Sequence, residues 1–242
     1  MKRSAHSRRI RRNTFRRHPA SEGTRMKVGI IGAGAMGRAM ARRAALAGAD
    51  VLLADPSTVL ARRVAREATA GSPGTVAAAT ARSALRPGLV ILALDRAETL
   101  AFLRSQRRPL TGKVLVEVTA PRPWPYGTEG PCGTEGPCGT GMGDLTAAAP
   151  GASWVRACAA GDAESIYRGL IDGHPVDVFV AADDEPAKIR VIELANRSGL
   201  RALDAGRLDR ARILDELTSL GREISHRLAA PEGWGIKLLP SW

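Results

Sequence analysis

A chain of 242 residues with 44% apolar and 25% charged side chains has the composition of a packed globule, long enough for one large domain or a domain with a small extension. No apolar run nears the roughly 20 residues that cross a bilayer, which argues against a membrane partner. Three cysteines in so long a chain suit a reducing, cytoplasmic setting rather than a disulfide framework. The net charge of +12 resembles a nucleic-acid signal until it is located: residues 1–25 hold nine Lys/Arg against one Glu, leaving +4 for the rest.

This head has no hydrophobic periodicity and reads as a disordered basic tail or an over-called start, because Met26-Lys27 leads straight into the first strand. A nucleic-acid-binding arm is the competing reading, since phosphate attraction needs only clustered positive charge.

From Lys27 the chain runs KVGIIGAGAMGRAMARRAALAGADVLLADPS. Val28–Ile31 suits a buried parallel strand, Gly32-Ala33-Gly34-Ala35-Met36-Gly37 follows as G-x-G-x-x-G, and Arg38–Leu46 favours a helix that Gly48 stops. Val51–Ala54 is a second strand, ending at Asp55. Gly32 permits the tight turn, Gly34 leaves room for a pyrophosphate, and Gly37 lets the helix approach the strand. The first helical residues, Ala35 and Met36, lie where free N–H groups meet phosphate oxygens. Asp55 stands 18 residues after Gly37, near the spacing for a carboxylate on a ribose hydroxyl. Such an acid favours the free 2′-hydroxyl of NAD over the 2′-phosphate of NADP, although Arg62 and Arg63 on the next helix could serve a phosphate.

Alternation continues. Thr58–Ala68 is predicted as a helix, Thr75–Ala78 as a weak strand, Leu89–Leu94 as a strand, Ala97–Ser105 as a helix and Lys113–Val118 as a strand. The pattern predicts an α/β fold, a Rossmann-type doubly wound parallel sheet whose ligand lies at the carboxyl ends of the strands. Leu94, Asp95 and Thr119 then sit at the mouth of the site. Strands at Ser153–Cys158 and Val176–Ala181, a helix at about Glu185–Ser198, a strand in LRALDAG and a long helix at 207–228 complete a small C-terminal α/β extension. The long helix carries Leu208, Ala211, Ile213, Leu214, Leu217 and Leu220 at packing spacing. The expected division is a tail at 1–25, a dinucleotide-binding domain at 26–172 and the extension at 173–242.

Between Pro121 and Leu145 lies a Gly/Pro-rich loop in which GTEGPC is written twice, placing Cys132 and Cys138 six apart. That spacing is not a C-x-x-C pair and no further ligands are near in sequence, so no metal site is expected. The repeat reads as rim decoration without helix or strand. Proton donors within reach of the mouth are few: Tyr126 and Asp95 are the candidates, with His174 and Lys237 behind them.

The chain resembles the deazaflavin (coenzyme F-420)-dependent NADP reductase family, whose dinucleotide-binding domain is shared with pyrroline-5-carboxylate reductases. The resemblance spans about Met26 to Leu239. It is carried by KVGIIGAGAMG, by VFVAADDEPAKIRVIELANRSGLRALDAGRLDRARILDEL and by the closing GWGIKL. It implies hydride transfer between a nicotinamide and a deazaflavin ring, or reduction of a small carbonyl or imine, in a homodimer. Three positions depart from the family pattern. Asp55-Pro56 replaces a Ser-Arg pair, Thr119-Ala120-Pro121 replaces Thr-Asn-Pro, and Ala157-Cys158-Ala159 replaces Ala-Phe-Asn. The two missing asparagines motivate a second expectation, a non-catalytic dinucleotide sensor or scaffold.

Overall fold

A computed structural model of the chain describes residues 25–119, 142–159, 161–229 and 233–239. The basic head and most of the repeat loop, with Tyr126, Cys132 and Cys138, lie outside the described residues.

In chain order the elements are β1 (Lys27–Ile31), α1 (Ala35–Leu46), β2 (Asp50–Ala54), α2 (Thr58–Thr69), β3 (Thr75–Ala78), α3 (Ala81–Ala84), β4 (Leu89–Leu92), α4 (Arg96–Ser105) and β5 (Val114–Glu117). There follow α5 (Gly143–Ala148), β6 (Ser153–Ala159), α6 (Ala163–Arg168), β7 (Leu170–Ile171), β8 (His174–Pro175), β9 (Asp177–Ala182), α7 (Glu185–Arg197), β10 (Arg201–Gly206) and α8 (Ala211–Arg227). Eight strands form one sheet in the order β10-β9-β6-β5-β4-β1-β2-β3. Pairing is parallel from β3 through to β6, so the expected Rossmann-type sheet is present. The extension joins it the other way round. β9 runs antiparallel to β6, and β10 runs parallel to β9.

The strands read as near-continuous apolar runs because both faces are covered. On one face Val28, Ile30, Leu53, Ile91, Val116 and Val155 pack with buried residues of α1, α2 and α7. On the other, Ile31, Val90, Leu92 and Leu115 pack with residues of α3, α4 and α5. Cys158 and Ala181 on β6 and β9 meet Leu214 of α8.

Several expectations need correction. The helix after the glycines begins at Ala35 rather than Arg38, and the loop expected to be structureless to Leu145 enters α5 at Gly143. The short helices α3 and α6 are held by side-chain caps from Thr80 and Asp162 rather than by periodicity. The helix expected over 207–228 opens as a 3-10 turn at Leu208–Arg210 before α8 begins. Its packing face is also different: Ala211 and Leu214 are buried, but so are Asp215, Thr218, Gly221 and Ser225, whereas Ile213 and Leu220 face outward. The reason lies beneath it. β6 presents Arg156 and the Cys158 thiol, which call for polar partners, and Gly221 leaves room for Trp234, whose ring would lie 2.6 Å from a Cβ there.

Candidate functional site: the carboxyl edge of the sheet

The loop joining β1 to α1 sits where strand order reverses, with β2 on one side of β1 and β4 on the other. Gly32 takes φ +99°, and a Cβ there would lie 2.5 Å from the Ala93 carbonyl oxygen. At Gly37 a Cβ would lie 1.9 Å from the Gly32 carbonyl oxygen. These two glycines are demanded by the protein itself. Gly34 is different: it is exposed, and among the described residues no atom lies within 4 Å of where its Cβ would be.

Helix α1 starts at that open position with no side-chain cap and no acid in its first turn. The first N–H groups of a helix lack intrahelical acceptors, and the macrodipole places partial positive charge beside them. Gly34, Ala35 and Met36 therefore frame a space suited to the pyrophosphate of a dinucleotide.

Asp55 sits beside the glycine loop. Its carboxylate accepts from Ala33 N at 2.8 Å and from Ser57 N at 2.8 Å, tying the glycine loop to the start of α2. Each carboxylate oxygen keeps a second lone pair for a ligand hydroxyl. Arg62 and Arg63 are exposed on α2. On α1, Arg38 is committed to protein partners: it meets Glu67 at 3.0 Å and lies 3.8 Å from the Tyr167 ring centroid.

Further along the same edge, Thr119 Oγ1 donates to Leu94 O at 2.5 Å and Thr119 N donates to Glu117 Oε1 at 2.9 Å, linking the ends of β4 and β5. Gly32, Gly34, Ala35, Met36, Gly37, Asp55, Leu94 and Thr119 are thus brought to one edge of the sheet. Of the proton-donor candidates, Asp95 follows Leu94 at the same edge but is engaged locally. Asp95 caps α4, accepting from Glu98 N at 2.8 Å within a capping box. His174 is exposed on β8, Lys237 is held 2.7 Å from Asp177, and Tyr126 lies outside the described residues.

Sequence reasoning missed the group under Thr119. Arg156 on β6 is 1% exposed and every N–H it carries has an acceptor. Nε and Nη2 donate to Asp215 of α8 at 3.1 and 2.7 Å. Nη1 reaches Glu117 Oε2 at 2.9 Å and Glu117 O at 3.1 Å, and Nη2 also donates to Thr119 O at 3.1 Å. Burial pushes the carboxyls of Glu117 and Asp215 up despite the guanidinium between them. The signal was there to read: a single charge inside each of the apolar runs VLVEV and SWVRAC.

Fold and glycine loop together define a Rossmann dinucleotide-binding protein. Residues 27–121 match the family model described as NADP oxidoreductase, coenzyme F420-dependent. The chain is 28% identical over 208 residues, 81% of its length and 90% of the relative's, to the F420-dependent NADP reductase of Methanothermobacter marburgensis. It is 28% identical over 153 residues, 62% of its length and 67% of the relative's, to that of Methanocaldococcus jannaschii. A candidate F420-dependent NADP reductase from Arthrobacter sp. FB24 shares the fold at 24% identity with a TM-score of 0.68, over 88% of this chain and all of that one. A reductive aminase from Aspergillus terreus does so at 19% identity with a TM-score of 0.59, over 85% of this chain but 63% of its own. These comparisons bear out the resemblance to the deazaflavin-dependent NADP reductases.

Proposed function

We propose that the chain is an NAD(P)-dependent oxidoreductase that moves a hydride between a nicotinamide and a second ring, a deazaflavin, in the cytoplasm. Gly34 is the observation that carries this. Nothing among the described residues explains a bare Cα at that point, whereas a pyrophosphate against the uncapped start of α1 does.

A bound dinucleotide would supply the hydride, and the chain's own residues bind and orient. Gly34 and the first turn of α1 hold the phosphates, while Asp55 accepts from a ribose. Thr119, anchored to Leu94 and Glu117, gives the nicotinamide end a rigid wall. Transfer between two rings in contact needs alignment and exclusion of water more than an acid or base. That suits a mouth where Asp95 is spent as a helix cap.

Asp55 supports NAD, whereas the curated relatives are named for NADP and lend that preference no support. Titration of the full chain with NADH and NADPH decides it. Tighter NADH credits Asp55, and tighter NADPH credits Arg62 and Arg63. Oxidation of the bound form by a deazaflavin is the expected activity. Dinucleotide binding without turnover of a deazaflavin, carbonyl or imine would overturn the enzymatic reading in favour of a sensor, to which the absent asparagines at 120 and 159 would then belong. The tail, extension and domain bounds given above remain part of this proposal, as does a homodimer.

A further inference from the structure

Thr119 stands just past Glu117, the last residue of β5 to pair with its neighbours, and it is half-buried. Each of its polar groups is nonetheless committed. Its N–H donates to Glu117 Oε1 at 2.9 Å, its carbonyl accepts from Arg156 Nη2 at 3.1 Å, and its hydroxyl donates to the Leu94 carbonyl at 2.5 Å. The group behind it is closed on itself. Glu117 Oε2 meets Arg156 Nη1 at 2.9 Å, and Asp215 Oδ1 accepts from both Nε and Nη2 of the same guanidinium. One threonine is therefore held from β4, β5 and β6 and, through Asp215, from α8.

Fold stability alone does not call for this arrangement. A buried arginine with two carboxylates gains little over well-packed apolar side chains, because desolvation offsets the Coulombic attraction. What a planar fork between paired oxygens does supply is direction. Here Glu117 fixes the peptide plane before Thr119, and Arg156 fixes the one after it.

That direction ends at one atom. The hydroxyl hydrogen of Thr119 is committed to Leu94 O, so toward a ligand Oγ1 offers only lone pairs and can only accept. Leu94 borders the glycine turn, since a Cβ on Gly32 would lie 2.9 Å from Leu94 Cδ2. Asp55 follows β2 on one side of β1, and Leu94 and Thr119 follow β4 and β5 on the other. A dinucleotide with its pyrophosphate at Gly34 and a ribose at Asp55 would carry its nicotinamide toward Thr119. The carboxamide of that ring brings the N–H that such an acceptor takes.

We propose that Arg156, Glu117 and Asp215 are positioning residues for the nicotinamide, aiming Thr119 Oγ1 to accept a hydrogen bond from its carboxamide N–H. The proposal rests on the dinucleotide reading above, but not on turnover of any second substrate.

Titration of the full chain with the reduced dinucleotide and with its 3-acetylpyridine analogue, in which a methyl replaces the carboxamide NH2, tests it. The wild type prefers the carboxamide by about 10-fold, the effect of one neutral hydrogen bond. Thr119→Val abolishes the preference. Glu117→Gln is isosteric but has one oxygen for two donors, and it cuts the preference to about 2-fold. Asp215→Ala does the same, while Asp215→Asn keeps an oxygen for Arg156 and with it most of the preference. A ratio of two affinities does not depend on how much of the protein is folded. A merely structural cluster would weaken both ligands alike and leave the ratio intact. Should Asp215→Ala fail to fold, Glu117→Gln carries the same test. Equal binding of the two ligands by the wild type overturns the proposal, and so does a full preference in Glu117→Gln. Binding of neither ligand removes it together with the dinucleotide reading. The expected ratios in a protein that transfers no hydride uphold it and remove the enzymatic reading alone.

Discussion

Gly34 and Gly37 stand three positions apart and do unrelated work, which makes them a matched pair for experiment. Gly34→Leu fills space that belongs to no atom of the described residues, so the melting temperature stays put while dinucleotide affinity falls by roughly 100-fold or more. Gly37→Ala drives a methyl against the Gly32 carbonyl and costs about 3 kcal/mol of stability, with lost binding only as a consequence. Calorimetric titration beside thermal melts separates the two. Both glycines were legible from spacing alone, because their reasons are local. Arg156 was not. Its role depends on Glu117 and Asp215, 39 and 59 positions away, and a charge in an apolar run does not announce its partners. Arg156→Met leaves two buried carboxylates without a cation and is expected to cost about 3–5 kcal/mol in urea unfolding at pH 8. The sign with pH follows from the raised carboxyls of Glu117 and Asp215. Their folded-state contribution is complete at low pH and declines as pH rises through their folded values, more steeply without the guanidinium. The variant's deficit is therefore smaller at pH 5 than at pH 8.

Among the elements, the long alternating ones could be read from the chain, since an apolar run of four to six residues between capped helices has few other meanings. The inner face of α8 could not, because periodicity reports which residues are apolar and not which side the sheet lies on. The segment 233–238 shows a second limit. Asp162 accepts from Gly233 N at 2.9 Å, Ser165 Oγ donates to the Trp234 carbonyl at 3.2 Å, and Leu238 N donates to Asp177 at 2.9 Å. Asp177 is the anchor of this strap. Burial works against its charge, but hydrogen bonds from Arg201 and Lys237 outweigh that and hold its carboxyl below the usual range. Its stabilising share is thus complete above the unfolded value near ~3.9 and disappears as pH falls through the lower folded value. Asp177→Asn should lower stability by about 3 kcal/mol at pH 7 and flatten that acid limb, as unfolding measured from pH 2 to 7 would show.

For the molecule as a whole, the sheet divides by chain order. β1 to β5, the strands that build the glycine loop and the Thr119 wall, all come from residues 27–117, whereas β6 and α8, which bring Arg156 and Asp215 to Glu117, come later. Long chains assemble in stages, earlier segments first during synthesis. The nucleotide-binding half can therefore take shape while Glu117 still faces water, and the Arg156–Asp215 lock engages last. A contact made last is absent from the folding barrier and present in the unfolding one. Arg156→Met should leave the folding rate nearly untouched and speed unfolding by most of its energetic cost in stopped-flow denaturant jumps. The lock then governs how long a finished molecule lasts rather than whether one forms.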